Sequence, residues 1–405
     1  MRLAICLHDG LYSCGTGAGF LNWRFIQCLQ RYRRLVDELF VLPVYVAATS
    51  DEFDDGWYRP ALELLGTLSA EVLPVDNGTA GQRRYGGTRE WATASEDAAR
   101  QVRTIAADGL WIASFDTPFA GLLGLLAGDP RIRQIHLPQS TGLLHSPDDG
   151  ARAAWERQNY ARADGRAALL GAISAFMRSH LVTEYGVRPR GIIDVFHGPT
   201  RFEWAHEPSP CPLELTDQRF VLCYGRGQPY KGQHLLVEAL ILLRSRGTPP
   251  PLAVIGAVSE SASNEYADRI ERRCLEAGIE AVVVRRFALW LRDLVGHPSL
   301  AAVVVPSLAE PYGRIPMECY THPSFAGVVV ASMAGGLAET VVPGETGFGF
   351  TPGSVESLAT ALRHALTCPR GERLAMKARA VTRIQARYSY ERNVHALLQR
   401  LRDQA

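Results

Sequence analysis

Residues 220–240 run Phe-Val-Leu-Cys-Tyr-Gly-Arg-Gly-Gln-Pro-Tyr-Lys-Gly-Gln-His-Leu-Leu-Val-Glu-Ala-Leu. The apolar run up to Tyr224 predicts a buried β-strand, and Gly225 and Gly227 predict a turn after it. Apolar residues at helical spacing then follow from Leu235 to Leu243. A strand, a glycine turn and a helix in this order are the repeating unit of parallel α/β domains.

The same rhythm recurs along the rest of the chain. In the first half, short apolar runs fall at residues 3–7, 40–46, 110–115, 132–136, 169–174 and 192–196. In the second half they fall at residues 220–224, 252–255, 281–284, 301–305 and 328–331. Apolar runs that alternate with helical segments are typical of parallel strands buried on both faces. The sequence therefore predicts an α/β protein with two Rossmann-like domains.

The rhythm lapses between Pro199 and Leu215, a stretch with four prolines, which predicts the boundary between the domains. We expect an N-terminal domain at residues 1–199, a linker at 200–215 and a C-terminal domain at 216–383. An arginine-rich amphipathic tail, from about Gly371 to Leu401, either caps the second domain or crosses back to the first. In the second case residues 384–405 would belong with the N-terminal domain.

Composition excludes several classes of protein. The 405 residues include 43 basic and 42 acidic side chains, so the formal charge of +1 provides no general attraction for nucleic acid. The most apolar run, Phe119–Gly128, is ten residues long, where about 20 would be needed to span a bilayer. No leader pattern is apparent at the N-terminus, and the eight cysteines show neither disulfide nor zinc spacing. We therefore expect a cytoplasmic protein with reduced thiols and no membrane insertion.

Arg226 and Lys231 bracket the predicted glycine turn. Ligands of open α/β sheets bind beyond the carboxyl ends of the strands, where helix N–H groups also favour anions. A guanidinium and an ammonium five residues apart can hold the two phosphoryl groups of a diphosphate, although two solvated surface cations would show the same spacing. Only two of the 43 basic residues are lysines, Lys231 and Lys377, which favours a specific role for Lys231.

Two glutamates follow the strand at 301–305. Glu310 and Glu318 lie on either side of a Pro-Tyr-Gly turn that precedes a helix. Carboxylates accept hydrogen bonds from sugar hydroxyls, and the backbone N–H groups of residues 312–314 would point into the crevice. A capping or surface role for either glutamate is the alternative interpretation.

Together these segments resemble the retaining nucleotide-sugar glycosyltransferases of family four. The resemblance covers residues 220–350: Gly-Arg with Lys-Gly, the Glu-Pro-aromatic-Gly turn with its second glutamate, Gly-Gly-Leu-Ala-Glu at 335–339, and Pro-Gly-Glu-Thr-Gly at 343–347. It implies a GT-B fold, in which two Rossmann-like domains face a central cleft. It also implies that the N-terminal domain binds the acceptor and the C-terminal domain binds the donor.

The resemblance implies a role for each matching residue in the second domain. Arg226 and Lys231 would clamp the diphosphate, Glu318 would bind the ribose, and Glu310 would hold the donor sugar. The remaining residues implied in donor binding are Gly225, Arg286, Phe287, Tyr312, Gly313, Arg314 and Ile315. The sequence departs from the family at Arg314, where a hydrophobic residue is usual, and after Glu318, where Cys319 and Tyr320 replace a run of small residues.

In the first domain the resemblance is fainter. The glycine loop at residues 15–19, with Gly17 and Gly19, follows the first strand, where the family has a loop facing the diphosphate. His136 ends a strand where the family places a histidine that touches the donor sugar. An ordinary turn and a structural histidine are the alternatives for these two features. His8 and Asp116 also end strands and are lesser candidates.

No Asp-x-Asp pair occurs in the sequence, so no metal site is predicted and no cofactor is expected beyond the donor itself. The resemblance implies transfer of a hexosyl group with retention from a UDP or GDP sugar. We expect an acceptor that is a small polar molecule of secondary metabolism, and homo-oligomerisation is left open. The alternatives are a nucleotide-sugar epimerase on the same scaffold and a sugar-nucleotide-binding protein without transfer activity.

Overall fold

A computed structural model of the chain describes residues 1–12, 17–50, 55–82, 85–107, 109–201, 203–204, 209–215, 218–259, 264–286 and 288–404. The chain divides into two units, one of residues 1–197 with 390–405 and one of residues 198–389. The segment that we predicted as a linker is therefore counted with the second unit. Among the described residues, no helix has both the length and the apolar character needed to cross a membrane.

The first unit is built on a parallel sheet in the order β3-β2-β1-β4-β5-β6-β7. Its strands are β1 Arg2–Leu7, β2 Glu38–Pro43, β3 Glu71–Val72, β4 Leu110–Phe115, β5 Ile132–Leu137, β6 Ala168–Ala172 and β7 Ile192–Asp194. The α-helices of this unit within residues 1–197 are α1 Gly17–Arg31, α2 Asp55–Gly66, α3 Thr88–Ile105, α4 Leu122–Leu125, α5 Gly142–His145, α6 Gly150–Tyr160 and α7 Ala175–Thr183.

The second unit has a parallel sheet in the order β10-β9-β8-β11-β12-β13. Its strands are β8 Phe220–Arg226, β9 Leu252–Val258, β10 Ala281–Val284, β11 Leu300–Val305, β12 Val328–Ser332 and β13 Phe348–Phe350. Its helices are α8 Gln233–Ser245, α9 Glu265–Glu276, α10 Leu289–Asp293, α11 Arg314–Thr321, α12 Leu337–Thr340, α13 Val355–Thr367 and α14 Arg370–Arg387. This strand order is that of the Rossmann fold, and its direction reverses between β8 and β11. The predicted fold class of two Rossmann-like domains is confirmed.

Several boundaries differ from the prediction. The strand β8 continues through Gly225 to Arg226, which pair with Ala257 and Val258, so the turn begins only at Gly227. The strand predicted at residues 40–46 instead covers Glu38–Pro43. The short strands β3 and β13 were missed, since two and three residues give too little apolar pattern.

The arginine-rich tail forms two helices. The helix α14 ends at Arg387, and a last helix, α15, runs over Tyr390–Asp403. Buried residues of α14, such as Met376, join the core of the second unit. Buried residues of α15, such as Val394 and Leu398, join the core of the first. The tail thus contributes one helix to the core of each unit.

The chain passes from one unit to the other near residues 198 and 389. We call these two points the junctions, and their backbones are tightly packed against each other. A Cβ atom placed on Gly198 would lie 1.4 Å from the carbonyl oxygen of Tyr388. Tyr388 is itself fully buried, so its backbone has little room to move away. Glycine is therefore required at position 198 by the close approach of a second backbone.

We predict that Gly198→Ala lowers the free energy of unfolding by at least about 2 kcal/mol, because overpacking against backbone cannot be relieved by a rotamer change. The matched control is Gly371→Ala in α14, where an added Cβ has no atom within 4 Å. That control should be neutral or slightly stabilising, since alanine favours helix. Urea unfolding of both variants checks the prediction, and equal midpoints would contradict it.

Candidate functional site

The carboxyl ends of β8 and β11 lie side by side in the second sheet and carry the candidate residues. After β8 a short 3-10 helix, Pro229–Lys231, leads into α8. Gly232, between them, has φ +71°, and a Cβ there would lie 2.1 Å from the carbonyl oxygen of Pro306, just after β11. The backbone N–H of Leu308 also donates to the carbonyl of Tyr230, at 2.7 Å. These contacts hold the loops after the two strands against each other.

The close approach of the loops brings Lys231 to Glu310. The Lys231 Nζ donates to Glu310 Oε2 at 2.6 Å, and both side chains are about 15% exposed, at 16% and 15%. The Tyr230 ring lies near both cations, with its centroid 6.0 Å from the Arg226 guanidinium and 5.4 Å from Lys231 Nζ. The structure therefore places Arg226 and Lys231 near one tyrosine ring, with Lys231 already paired to Glu310.

The loop between the two glutamates is fixed by backbone contacts. The Gly336 N–H donates to the Glu310 carbonyl at 2.8 Å. Gly313 precedes α11, and a Cβ on it would lie 2.1 Å from Thr340 Oγ1. The Arg314 N–H donates to the Tyr312 carbonyl at 3.0 Å, so the expectation that this N–H points into the crevice is wrong. The turn at residues 312–314 is so tight that the Arg314 N–H finds its acceptor within the turn.

Glu318 lies on α11 and is almost completely buried, at 3% exposed. Its Oε2 accepts a hydrogen bond from the Tyr224 hydroxyl at 2.6 Å and lies 3.5 Å from the Arg292 Nε. Its Oε1 accepts from the Arg314 Nη2. Glu203 binds the same two arginines, at 2.6 Å from Arg292 Nη2 and 3.0 Å from Arg314 Nη2. We call Glu203, Arg292, Arg314 and Glu318 the buried charge quartet.

The quartet decides the charge state of Glu318. Burial favours the neutral acid, but Arg314 and Arg292, with hydrogen bonds from Tyr224 and Arg314, outweigh it and lower the pKa of Glu318 to about 2. The pKa of Tyr224 is raised well above its ordinary value, chiefly by burial and then by the Glu318 charge. Glu318 is therefore a carboxylate, and Tyr224 a neutral donor to it, at every physiological pH.

Sequence reasoning missed Tyr224, Arg292 and Glu203. Tyr224 lies near the carboxyl end of β8, a position from which its contact with Glu318 could have been suspected. Arg292 in α10 and Glu203 near the junction at residue 198 belong to none of the sequence motifs. Their place beside Glu318 and its partners results from the way the segments pack in three dimensions. Trp204 accompanies them, with its ring 4.2 Å from the Arg292 guanidinium.

The remaining predicted residues of this unit are less constrained. Arg286 is exposed just after β10, and Ile315 is half-buried in α11. Phe287 lies outside the described residues. The second lysine, Lys377, donates from Nζ to the carbonyls of His322 and Pro323, at 2.7 and 3.0 Å. It thereby binds backbone acceptors just beyond the end of the helix that carries Glu318.

In the first unit, His136 lies in β5 and is fully buried. Its Nδ1 is 2.9 Å from Ser114 Oγ, and among the described residues its Nε2 has no hydrogen-bond partner. Burial lowers the pKa of His136 to about 3, so the ring is neutral. Of the glycine loop, residues 15 and 16 lie outside the described residues, Gly17 begins α1, and Gly19 is buried.

The lesser candidates His8 and Asp116 lie close together. The His8 Nε2 is 3.7 Å from Asp116 Oδ2, and the Gly10 N–H donates to His8 Nδ1 at 2.9 Å. Asp116 has φ +62°, a backbone conformation that costs energy in a residue other than glycine.

Comparison with known proteins finds similarity over part of the chain. Residues 211–383 match the family described as Glycosyl transferases group 1. A lipopolysaccharide core biosynthesis mannosyltransferase, LpcC from Rhizobium leguminosarum bv. viciae, is 28% identical over 223 residues, which are 54% of this chain and 58% of that protein. A GDP-mannose-dependent α-(1-6)-phosphatidylinositol monomannoside mannosyltransferase from Mycolicibacterium smegmatis is 30% identical over 164 residues, 38% of this chain and 41% of that protein. The matches thus span about half the length of these curated relatives.

Solved structures of similar fold cover the whole chain. Sucrose-phosphate synthase from Thermosynechococcus elongatus has a TM-score of 0.74 at 18% identity and covers 99% of each chain. Anabaena Alr3699/HepE in complex with UDP and glucose has a TM-score of 0.71 at 18% identity and covers 100% of each chain. The fold is therefore that of the GT-B glycosyltransferases. Residues 211–383 are similar to the group 1 glycosyltransferases, and the predicted resemblance to family four is confirmed.

We predict that His136 makes the protein lose stability in acid. The unfolded chain protonates this histidine near pH 6.5, whereas the folded protein does so only near pH 3. Its contribution is therefore complete above pH 6.5 and falls by about 1.4 kcal/mol per pH unit below it.

Urea unfolding of the wild type and His136→Gln at pH 7.5 and pH 5 measures this contribution. The difference in free energy of unfolding between the two proteins should shift by about 2 kcal/mol, with the wild type losing more in acid. A difference that stays constant between the two pH values would show that the ring is not held neutral.

Proposed function

We propose that this protein is a retaining, metal-independent glycosyltransferase that moves a hexosyl group from a nucleoside diphosphate sugar to a hydroxyl of a small polar acceptor. The observation that carries the proposal is the Lys231–Glu310 pair beside Arg226, held where the loops after β8 and β11 meet. This position is the crevice at the topological switch point, where Rossmann folds bind nucleotides.

The leaving group in such a transfer is a nucleoside diphosphate that gains negative charge. Lys231 has three N–H donors and directs one of them to Glu310, so the others are available to phosphoryl oxygens. Arg226, the exposed last residue of β8, supplies a forked donor for the second phosphoryl group. Fixed cations of this kind stabilise developing charge without reorganisation, and removal of one such group typically lowers the rate about 10²–10³-fold.

The two carboxylates act on different parts of the donor in this proposal. Glu310 binds hydroxyl groups of the transferring sugar while Lys231 turns to the diphosphate. Glu318, ionised within the buried charge quartet, accepts a hydrogen bond from the ribose. With retention, the departing phosphate oxygen takes the proton of the acceptor hydroxyl, which bonds to the anomeric carbon on the face that the phosphate leaves.

The relatives support the choice of donor. One is named as GDP-mannose-dependent, and HepE has been solved with UDP and with UDP-glucose. We therefore propose a GDP or UDP donor and transfer of a mannosyl or glucosyl group. A cytoplasmic location, the class of acceptor and homo-oligomerisation stay predictions.

The two alternatives, the epimerase and the binding protein without transfer activity, predict different fates of the donor. An epimerase would convert the donor sugar in the absence of any acceptor, whereas a binding protein would leave it unchanged with every acceptor. Incubation with GDP-mannose or UDP-glucose, alone and with a panel of acceptors, distinguishes the three. NMR of a transfer product also tests retention, because the transferred sugar must keep the anomeric configuration that it has in the donor.

We predict that transfer continues in excess EDTA at close to its initial rate, because the proposed diphosphate clamp consists of Arg226 and Lys231. The measurement is the initial rate of release of nucleoside diphosphate with and without chelator. Lys231→Ala should lower this rate about 10²–10³-fold in either condition. A rate that collapses in EDTA and returns with magnesium or manganese would refute metal independence.

We predict that the two glutamates have separable effects. Glu318→Gln replaces a charged acceptor by a neutral one and should weaken binding of the bare nucleoside diphosphate by about 1–2 kcal/mol. Glu310→Gln should leave this binding nearly intact and lower turnover, because a contact to the transferring sugar strengthens in the transition state.

Calorimetry with UDP and GDP, beside steady-state kinetics with the sugar nucleotide, measures both effects. Glu356→Gln, at an exposed position of α13, is the control for the loss of a carboxylate and should change neither quantity. The assignment of the pair is wrong if both substitutions weaken the bare nucleotide equally, or if neither alters binding or rate.

A further inference from the structure

Glu203 has no counterpart among the residues that the motifs identify, yet it pairs with both arginines that contact Glu318. Its side chain is 6% exposed, and the residue belongs to the segment just after the junction at residue 198. Its Oε1 accepts hydrogen bonds from two arginines on different helices, Arg292 of α10 and Arg314 of α11. Neither arginine belongs to the loop after β8, and both contact Glu318.

The quartet combines two carboxylates with two guanidinium groups. Each arginine contacts both glutamates, so two positive and two negative charges neutralise one another in a buried place. Removing one member of such a set leaves an uncompensated charge, which costs far more than the pairing gains. The four side chains therefore constrain one another.

One member is placed to move. The side chain of Arg314 is 21% exposed, whereas those of the other three are 4–6% exposed. Its Nη2 is shared between Glu203 Oε1 and Glu318 Oε1. A ribose hydroxyl that approaches Glu318 Oε1 must compete with this guanidinium. Because Glu203 holds the same nitrogen, Arg314 can release Glu318 and still keep a carboxylate partner.

We propose that Glu203 is a positioning residue for nucleotide binding: it retains Arg314 when Glu318 turns to the ribose of a nucleoside diphosphate. This inference rests on the proposed function, since it takes Glu318 as the ribose ligand. Without Glu203, Arg314 loses its second carboxylate in the quartet, and the ribose must displace it from an ion pair that Glu203 no longer shares. Nucleotide affinity then falls although no group that touches the nucleotide has changed.

Arg314 stands where the family usually has a hydrophobic residue, so its replacement by methionine provides the decisive test. If Glu203 acts by holding Arg314, replacing that arginine by an uncharged residue removes the need for Glu203. Arg314→Met in the Glu203→Gln background should therefore restore affinity. A purely structural glutamate predicts the opposite, since a second substitution in the same buried set would add to the damage.

Calorimetric titration with UDP and with GDP tests the inference. Glu203→Gln should bind the nucleotide about tenfold more weakly than the wild type, and the KM for the sugar nucleotide should rise with little change in kcat. Glu203→Gln with Arg314→Met should recover most of the affinity. Glu203→Asp keeps the charge and should bind better than Glu203→Gln, which provides a second comparison where the glutamine variant folds poorly. Glu238→Gln, which breaks a Glu–Arg pair between α8 and α9, is the matched control and should bind as the wild type does.

Two results would overturn the inference while the proposed function stands: wild-type affinity in Glu203→Gln, or a double variant that binds no better than Glu203→Gln. A wild-type protein that binds neither UDP nor GDP would refute the proposed function, and the inference would fall with it.

Discussion

The pairing of β8 with β11 in the second sheet is the constraint on which the candidate site depends. Because both strands are parallel and adjacent, their carboxyl ends and the loops that follow them emerge at the same edge. The helices after these strands start from that edge. Lys231 and Glu310 are 79 residues apart in sequence and Tyr224 and Glu318 are 94 apart, yet each pair is joined by a hydrogen bond. A different strand order would separate all four.

Glycines at two points make this proximity possible. Gly232 allows the 3-10 helix after β8 to contact the backbone that follows β11, and Gly313 allows the glutamate loop to contact Thr340. At both positions an added Cβ would lie within 2.1 Å of another atom, so a side chain would force the loops apart. Gly232 and Gly313 thus set how closely the loops approach each other. This close approach brings the charged side chains within hydrogen-bonding distance.

Much of the fold could be predicted from the sequence, because parallel strands buried on both faces leave continuous apolar runs. Short strands such as Phe348–Phe350 leave no such trace and were missed. In the site, Lys231 and Glu310 were predicted as neighbours of one donor, and the structure brings them together. Glu203 and Arg292 could not be predicted, because their positions depend on how a junction segment and a short helix pack around Glu318. The balance of charges in the buried quartet depends on residues that are distant in sequence, so no local sequence pattern predicts it.

The last helix has a consequence for how the protein could be recombined with others. Because α15 completes the core of the first unit, that unit is discontinuous in sequence, and the second unit is in effect an insertion between residues 197 and 390. A chimera that simply joined residues 1–197 to the donor half of a relative would lack Tyr390, Val394, Leu397, Leu398 and Leu401 from its first core. An exchange of specificity between such proteins therefore requires two crossover points, one at each junction, and the two junctions must be taken from the same parent because Gly198 and Tyr388 fit each other.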